Sequence, residues 1–205
     1  MKRTYKRAVI LLVTLAMSVG LCFGLAACGG SAQSDEQMIR AELDKAFGVL
    51  KNPTEESIKE MLNGDTSSLD ELAQYGVDPV EMLKHFFGHF EYNIDSVKVD
   101  GDKGVATVTI TNADFQAVMN DVMNSLQNDQ EFMTAAVAAY QSGNEQDLYK
   151  LIFDKLFKAI DETDQLVTTT TDFQLEKKDG VWDFTEEGQQ ALMSSMFGGM
   201  DFSQL

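Results

Sequence analysis

Apolar side chains recur every three or four residues in the first part of the sequence, and this period predicts amphipathic helices. The first predicted helix begins after Ser34, because Ser34 and the Gln three residues later have the spacing of a capping box. Asn52-Pro53-Thr54 separates it from the next helix. A short helix is expected at 68–75, and a further one follows Asp78-Pro79. The apolar face of that further helix consists of Val80, Leu83, Phe87 and Phe90.

The period of the apolar positions changes to two in two places, which predicts two β-hairpins. In the first, the alternation runs from 92 to 110 around Asp100-Gly101-Asp102. In the second, it runs from 165 to 184 around Asp179-Gly180. One face of the longer strand in this second hairpin consists of Val167, Thr169, Thr171, Phe173 and Leu175.

Helical period returns between the hairpins and again after them. Residues 114–162 are expected to form three helices, and Thr185 begins a last helix that Gly198-Gly199 ends. The pattern therefore predicts an α+β fold, in which the hairpins form an antiparallel sheet of about four strands. Helices pack on one face of this sheet, and the helical insertion lies between the hairpins. This single domain is expected to span 35–200, followed by a loose tail at 201–205.

The start of the chain has the pattern of a secretory signal. Four basic residues in positions 1–7 precede twenty residues without a charge. The sequence Leu25-Ala26-Ala27-Cys28 then resembles the lipobox of bacterial lipoproteins. This resemblance implies a cleaved signal at 1–27 and a diacylglyceryl thioether on Cys28, with a short tether up to residue 34. It also implies that the lipid bilayer is a partner and that the domain is anchored on the extracytoplasmic face of the cell membrane.

Two alternatives to the lipobox remain open. Twenty uncharged residues are long enough to span a bilayer, so the segment can also be an uncleaved anchor, or the chain can be secreted without a lipid. The small residues on both sides of Cys28 favour cleavage at that point. Cys22 follows a Leu rather than a small residue, so we interpret it as part of the apolar signal.

The composition excludes several classes of function. The chain has 33 acidic and 16 basic residues, a formal net charge of −17, and recognition of nucleic acid needs clustered basic side chains. Two cysteines cannot build a disulfide scaffold or a cysteine-based zinc site. No cofactor-binding motif is present, because the sequence lacks a glycine-rich phosphate loop.

A second resemblance concerns the hairpins. Lys178-Asp179-Gly180-Val181-Trp182 and Gly101-Asp102-Lys103-Gly104 resemble the hairpin turns of small lipoproteins in the nuclear-transport-factor-two-like, or cystatin-like, superfamily. The resemblance implies that the antiparallel sheet is curved and wrapped around a helix, with a cone-shaped cavity. Active members of the superfamily place an acid and a His or Tyr in this cavity, and the present sequence has no matching motif. We expect the helical insertion to cover the mouth of the cone.

The chain contains two histidines, His85 and His89, at helical spacing i and i+4. Such a pair with a carboxylate can bind zinc, but the residues between them do not give the H-E-x-x-H pattern. We therefore favour the interpretation that they are polar residues on the flank of a helix, and we expect no metal site.

Other candidate sites have ordinary structural explanations. A tight turn explains Asp100 and Asp102 better than a calcium loop, because the EF-hand spacing would need a Glu where Thr111 stands. Core packing explains methionines near the end of the chain better than a soft-metal site. These methionines are Met193, Met196 and Met200. The acids at the end of the insertion are expected to form a solvated patch rather than a cation site. They are Asp161, Glu162 and Asp164.

Two functions of different classes fit the sequence. The first is a non-catalytic binding or interaction module of the cell envelope, whose partner is an envelope protein or a small ligand. The second is an enzyme with an acid–base site in the cone, using His85 or His89. A catalytic histidine must face the cavity with a carboxylate in hydrogen-bond reach, which discriminates the two. A purely structural spacer is a third possibility.

Overall fold

A four-stranded antiparallel sheet with helices against one face organises the chain. The computed structural model describes residues 34–61, 76–142 and 145–200. The described helices are α1 (Asp35–Lys51), α2 (Glu55–Met61), α3 (Pro79–Phe86), α4 (Phe115–Asn128), α5 (Gln130–Ser142), α6 (Glu145–Glu162) and α7 (Glu186–Met196). The strands are β1 (Glu91–Asp100), β2 (Lys103–Ala113), β3 (Leu166–Lys178) and β4 (Val181–Phe184).

The strands follow one another in the sheet in the order β1-β2-β3-β4, and each neighbouring pair is antiparallel. Gly101 and Asp102 make the first hairpin turn, and Gly101 has a φ of 61°. Asp179 and Gly180 make the second, with φ values of 53° and 81°. In this second turn φ is positive at both central residues, which is typical of a type I′ turn, whose twist matches that of the strands. The predicted α+β fold with two hairpins is confirmed.

The helical insertion leaves and re-enters the sheet at neighbouring positions. Ala113, at the end of β2, pairs with Leu166, at the start of β3. The backbone N–H of Asp114 donates to the carbonyl oxygen of Gln165 over 2.8 Å, which closes the base of the insertion. Helices α4 and α5 both pack on α6, and α6 also contacts α3.

Helix starts follow the side chains that can cap them. Ser34 and Gln37 form the predicted capping box, with 3.3 Å between each backbone nitrogen and the other residue's side-chain oxygen. Side-chain oxygens satisfy backbone N–H groups that have no partner inside a helix. The same role at the starts of α3, α4 and α7 is taken by Asp78, Asp114 and Thr185.

The core lies between the inner face of the sheet and the helices. Alternate residues of β2 are fully buried, whereas the threonines between them face outwards. Helix α1 covers this face with Ile39, Leu43 and Phe47, and Met196 of α7 is 1% exposed. In α6, Phe153, Leu156 and Ile160 are buried. The other large apolar side chains of α6 are half-buried, and they are Leu148, Leu151, Ile152 and Phe157.

Several expectations concern residues outside the described part. They are the signal at 1–27, the tether at 28–33, the helix at 68–75 and the tail at 201–205. Among the described helices, none has both the length and the apolar character needed to cross a membrane.

Candidate functional site

The two histidines do not share a helix face. Helix α3 ends at Phe86 with Phe87 as its C-cap, so His89 lies in the turn that leads to β1. The predicted i, i+4 pair was therefore wrong. Beyond this end the chain turns at 87–89, and the buried rings of Phe87 and Phe90 pack edge-on with 5.5 Å between their centroids.

His85 forms a pair with an acid from the insertion. Its Nδ1 lies 2.9 Å from both carboxylate oxygens of Asp161, near the end of α6. The imidazole ring stacks on Phe157, with 4.5 Å between ring centroids and 13° between planes. The side chains of His85 and Asp161 are 29% and 47% exposed, so the pair lies at the surface of the contact between α3 and α6.

His89 reaches the same end of α6 by a different bond. Its Nε2 lies 2.9 Å from the carbonyl oxygen of Ile160, and a carbonyl only accepts, so Nε2 is the donor. The carbonyls of the last turn of a helix have no partner within that helix. His89 therefore satisfies one of them, so that His85 and His89 fasten α6 to the end of α3 and to the turn that follows it.

The acidic cluster that the sequence singled out is explained by this contact. A negative charge at a helix C-terminus is unfavourable to the helix dipole. Asp161 accepts a hydrogen bond from His85, and Glu162 faces Lys158 over 3.9 Å. Asp164 is exposed beyond the helix end. Within the described ranges, no three His, Cys, Asp or Glu side chains come together in a group that can hold a metal ion.

Aromatic rings from the end of α3, the start of α4 and the end of α7 pack together. The Phe86 and Phe115 rings stack with centroids 5.4 Å apart. Phe197 packs edge-on against Phe115 at 5.3 Å and lies 6.1 Å from Phe87. His85 meets a carboxylate at the α3–α6 contact, which satisfies the distance part of the requirement for a catalytic histidine.

The remaining candidates have structural roles where they are described. Asp100 and Asp102 flank the first hairpin turn and are exposed. Met193 and Met196 are buried in the core, and Met200 packs against it. Cys28, the predicted lipidation site, lies outside the described residues.

A charged cluster that the sequence pattern did not predict lies at the hairpin-turn end of the sheet. The Lys177 Nζ lies 2.9 and 3.1 Å from the carboxylate oxygens of Asp35 and 5.6 Å from the Trp182 ring centroid. The hydrogen bond from Lys177 holds the pKa of Asp35 below its usual value. The Trp182 indole N–H adds a smaller effect in the same direction without reaching normal hydrogen-bond geometry. Lys177 occupies the strand position after Phe173 and Leu175 that points to the same, inner face of the sheet. A lysine at a position where the alternation calls for an apolar residue was the signal in the sequence.

The outer face of the sheet carries a second unpredicted feature, a ladder of paired hydroxyl groups. Thr109 and Thr170 lie 2.9 Å apart between their side-chain oxygens, and Thr111 and Thr168 lie 2.7 Å apart. The Thr107 hydroxyl donates to Asp172 over 2.7 Å. Because these hydroxyls bond to one another across strands, the ladder stabilises the exposed face of the sheet.

Comparison with known proteins identifies no family for this chain: no family model matches it, and no curated protein and no solved structure matches it. Its function must therefore be argued from its own residues.

Proposed function

We propose that this chain is a lipid-anchored extracytoplasmic protein whose domain is a non-catalytic binding or interaction module. One observation carries the non-catalytic part: both histidines that the sequence offers for acid–base chemistry hold the end of α6. His85 bonds Asp161 and stacks on Phe157, and His89 bonds the Ile160 carbonyl. Groups with these partners complete a contact between α6 and the end of α3.

The anchoring part rests on the lipobox pattern ending at Cys28. Two acyl chains on one cysteine hold a protein stably on a membrane without a basic patch. The partner at this end is thus the bilayer, and the domain is left to bind an envelope protein or a small ligand.

Replacing the predicted lipidated residue tests the anchor. Cys28→Ser is expected to accumulate as an unprocessed precursor that takes up no labelled fatty acid, because the thioether cannot form. Cys22→Ser is the matched control and is expected to be processed and labelled normally. The readouts are mass, label incorporation and membrane fractionation. Unchanged mature size and membrane retention in Cys28→Ser would overturn the anchoring proposal.

The binding part is tested by thermal shift on the full lipidated protein in detergent, against divalent metals, peptides, lipids and envelope metabolites. A ligand at 100 times its dissociation constant adds about 2.7 kcal/mol of stability. A hit that His85→Gln leaves intact supports a module that does not use the histidine. A flat screen with a normal melting transition excludes the small-ligand form of the proposal and leaves an envelope protein, to be identified by crosslinking in native membranes.

An enzyme remains the second candidate, because one distance favours it. Asp161 can orient His85 as a general base, since the carboxylate oxygens lie 2.9 Å from Nδ1. A reaction that both His85→Gln and Asp161→Asn abolish, while the protein melts normally, would favour this function over the binding module.

A further inference from the structure

Strand β3 is paired on both sides over only part of its length. Strand β4 pairs with its last residues, from Leu175 to Lys178, whereas β3 begins at Leu166. Among the described residues, the stretch 166–173 has β2 on one side and no strand on the other. An unpaired strand edge presents backbone N–H and C=O groups to which another extended chain can bind.

Two hydrogen bonds show which backbone groups point to this edge. The N–H of Thr185 donates to the carbonyl oxygen of Gln174 over 3.0 Å, so Gln174 faces away from β2. The carbonyl oxygen of Gln165 accepts from Asp114 at the end of β2, so Gln165 faces towards β2. Residues of an antiparallel strand alternate between these directions. No described residue bonds the backbone groups that share the direction of Gln174, and these groups belong to Leu166, Thr168, Thr170 and Asp172.

The opposite edge of the sheet is protected, and this one is not. The pairing of β1 shifts between Ile94 and Ser96, and the Arg40 guanidinium donates to the Ile94 carbonyl oxygen over 2.7 Å. Proteins protect exposed edges with bulges, charged residues and prolines. The sequence has no charged residue and no proline at 165–171, so the edge of β3 keeps its capacity to pair.

The open stretch is bounded at both ends. At one end, the start of α7 lies against the backbone of Gln174. The helix then passes beneath the sheet, where the Met196 carbonyl accepts from the Asn112 side chain of β2 over 2.8 Å. At the other end, the insertion returns to the sheet at 163–165. Residues 166–172 are left for a new strand.

We propose that residues 166–172 bind an extended segment of a partner protein as a fifth strand of the sheet. The backbone of that segment supplies the hydrogen bonds. Its middle is uncharged and β-branched, because such residues fit a strand beside the threonines. Basic residues flank this middle, because the exposed acids Asp164 and Asp172 bracket the edge. The proposal rests on the proposed function as a binding module and names its partner class.

A second copy of this chain is a poorer occupant of the edge. Two copies related by a two-fold axis would pair their β3 strands antiparallel, so their hairpin-turn ends would point in opposite directions. Asp35, which follows the tether, is bound at the hairpin-turn end. The two proposed Cys28 anchors would then lie at opposite ends of the dimer.

A synthetic peptide with Val and Thr in its middle and Lys at both ends is the probe. The lipidated full-length protein is held in nanodiscs of zwitterionic lipid, and empty nanodiscs give the background. Fluorescence anisotropy is expected to show saturable binding above that background. A peptide with the same side chains but N-methylated backbone nitrogens, and one with Glu in place of Lys, are expected to bind at least ten times more weakly.

One pair of variants locates the binding on this edge. Thr170→Pro removes an N–H that faces away from β2, so the β2–β3 ladder is retained. It is expected to raise the Kd at least tenfold, which corresponds to about 1.4 kcal/mol. Thr170→Val is the matched control, because it removes the hydroxyl but keeps the backbone N–H, and it is expected to leave the Kd unchanged. A melting curve checks that both variants fold.

Amide exchange followed by NMR tests the edge without a substitution. In the free protein, the N–H groups of the even-numbered residues at 168–172 are expected to exchange faster than those of the odd-numbered residues at 167–171, which bond to β2. The peptide is expected to slow the even-numbered set at least tenfold and to leave the odd-numbered set unchanged.

Slow exchange of the even-numbered set in the free protein would show that the edge is already paired and overturn the proposal. So would absence of peptide binding, equal affinity for the N-methylated peptide, or equal Kd values for the two Thr170 variants. A dimer in light scattering that Thr170→Pro disrupts would assign the edge to a second copy instead. A partner crosslinked in native membranes through a different face would remove this strand site while leaving the binding module standing, so the two proposals fail separately.

Discussion

Lys177 shows how a single charged residue is accommodated on the buried face of a strand. Its ammonium group leaves the core at the hairpin-turn end, where it meets the Asp35 carboxylate and the face of Trp182. The side chains of Lys177 and Asp35 are 25% and 29% exposed. A pair screened only in part by solvent contributes more than an exposed one. This contact joins the start of α1 to β3 and β4.

The Asp35 pair makes stability depend on pH. Its pKa is lowered in the folded state, so the carboxylate form contributes to stability above the ordinary value of 3.8, and this contribution is lost as the pH falls through the lowered pKa. Asp35→Asn is expected to reduce the free energy of unfolding at pH 7 and to have a smaller effect at pH 3. Urea unfolding at the two pH values measures both.

Glu36→Gln is the control for that measurement, since Glu36 is an exposed neighbour in the same helix turn. Its effect is expected to be small at both pH values. An Asp35→Asn effect that is equally large at pH 3 and pH 7 would assign the stabilisation to packing rather than to the ion pair.

At the scale of elements, α7 lies directly on the backbone of β3. A Cβ atom added to Gly188 would lie 2.2 Å from the carbonyl oxygen of Gln174, which already accepts from the Thr185 N–H over 3.0 Å. Glycine is required here because helix and strand approach too closely for a side chain. Helix α1 has an open counterpart in Gly48, where an added Cβ would have no neighbour within 4 Å.

These two glycines give opposite predictions for the same substitution. Gly188→Ala is expected to destabilise the domain by about 3 kcal/mol, because the added atom forces α7 away from β3. Gly48→Ala is expected to stabilise it by about 0.5–1 kcal/mol, since alanine loses less conformational entropy than glycine when it becomes part of a helix. Chemical denaturation of both variants measures the difference. A neutral Gly188→Ala would mean that α7 is not seated on β3 as described.

The elements could be predicted from sequence where local chemistry decides them, and the exceptions arise from tertiary packing. Capping by Ser34 is local, so the start of α1 was predictable. The helical period through Phe87 and Phe90 predicted a longer α3, because the period does not reveal that these two rings pack against each other across a turn. In β1 the spacing of the apolar residues indicates an irregularity, because Ile94 and Val97 are both buried although they are three residues apart. The pairing of β1 with β2 shifts between Ile94 and Ser96. Such a shift is a β-bulge.

The partners of buried polar residues also depend on tertiary packing, so they could not be predicted from the sequence. Asn112 continues the inward series of β2 and is fully buried, where its side-chain amide donates to the carbonyls of Phe86 and Met196 over 3.2 and 2.8 Å. Its position in an apolar phase marks it as unusual, but its partners lie at the ends of α3 and α7. Sequence spacing cannot identify contacts between elements so far apart in the chain.

At the scale of the whole molecule, the start of α1 and the helical insertion lie at opposite ends of β2. Asp35 is bound at the end where β2 begins, and the insertion departs from Ala113 at the other. Eleven residues of strand separate these ends, which is about 35 Å. An anchor at Cys28 would place the hairpin turns towards the bilayer and α4 and α5 away from it.

The single tryptophan tests this orientation, because Trp182 lies beside Asp35 at the end nearest the proposed anchor. The vesicles contain dansyl-labelled lipid as the energy acceptor. Energy transfer from Trp182 in the unchanged protein is expected to be stronger than transfer from the new tryptophan in a Trp182→Phe/Met133→Trp variant. Equal or reversed transfer would mean that the domain lies on its side or points the insertion at the bilayer. A melting curve for each variant checks that the fold is retained.

The pairing of Ala113 with Leu166 across the insertion also favours one order of folding, in which the hairpins form before the central strands pair. The β1–β2 and β3–β4 hairpins have two-residue turns, and hairpins of this kind close in about 1–10 μs. The central β2–β3 pairing joins residues separated by the entire insertion. Closing so long a loop costs more conformational entropy, so this pairing is expected to form after the hairpins and to slow folding. Helices α4 to α6 shorten that loop if they form first, which makes the helix propensity of the insertion a determinant of the folding rate of the sheet.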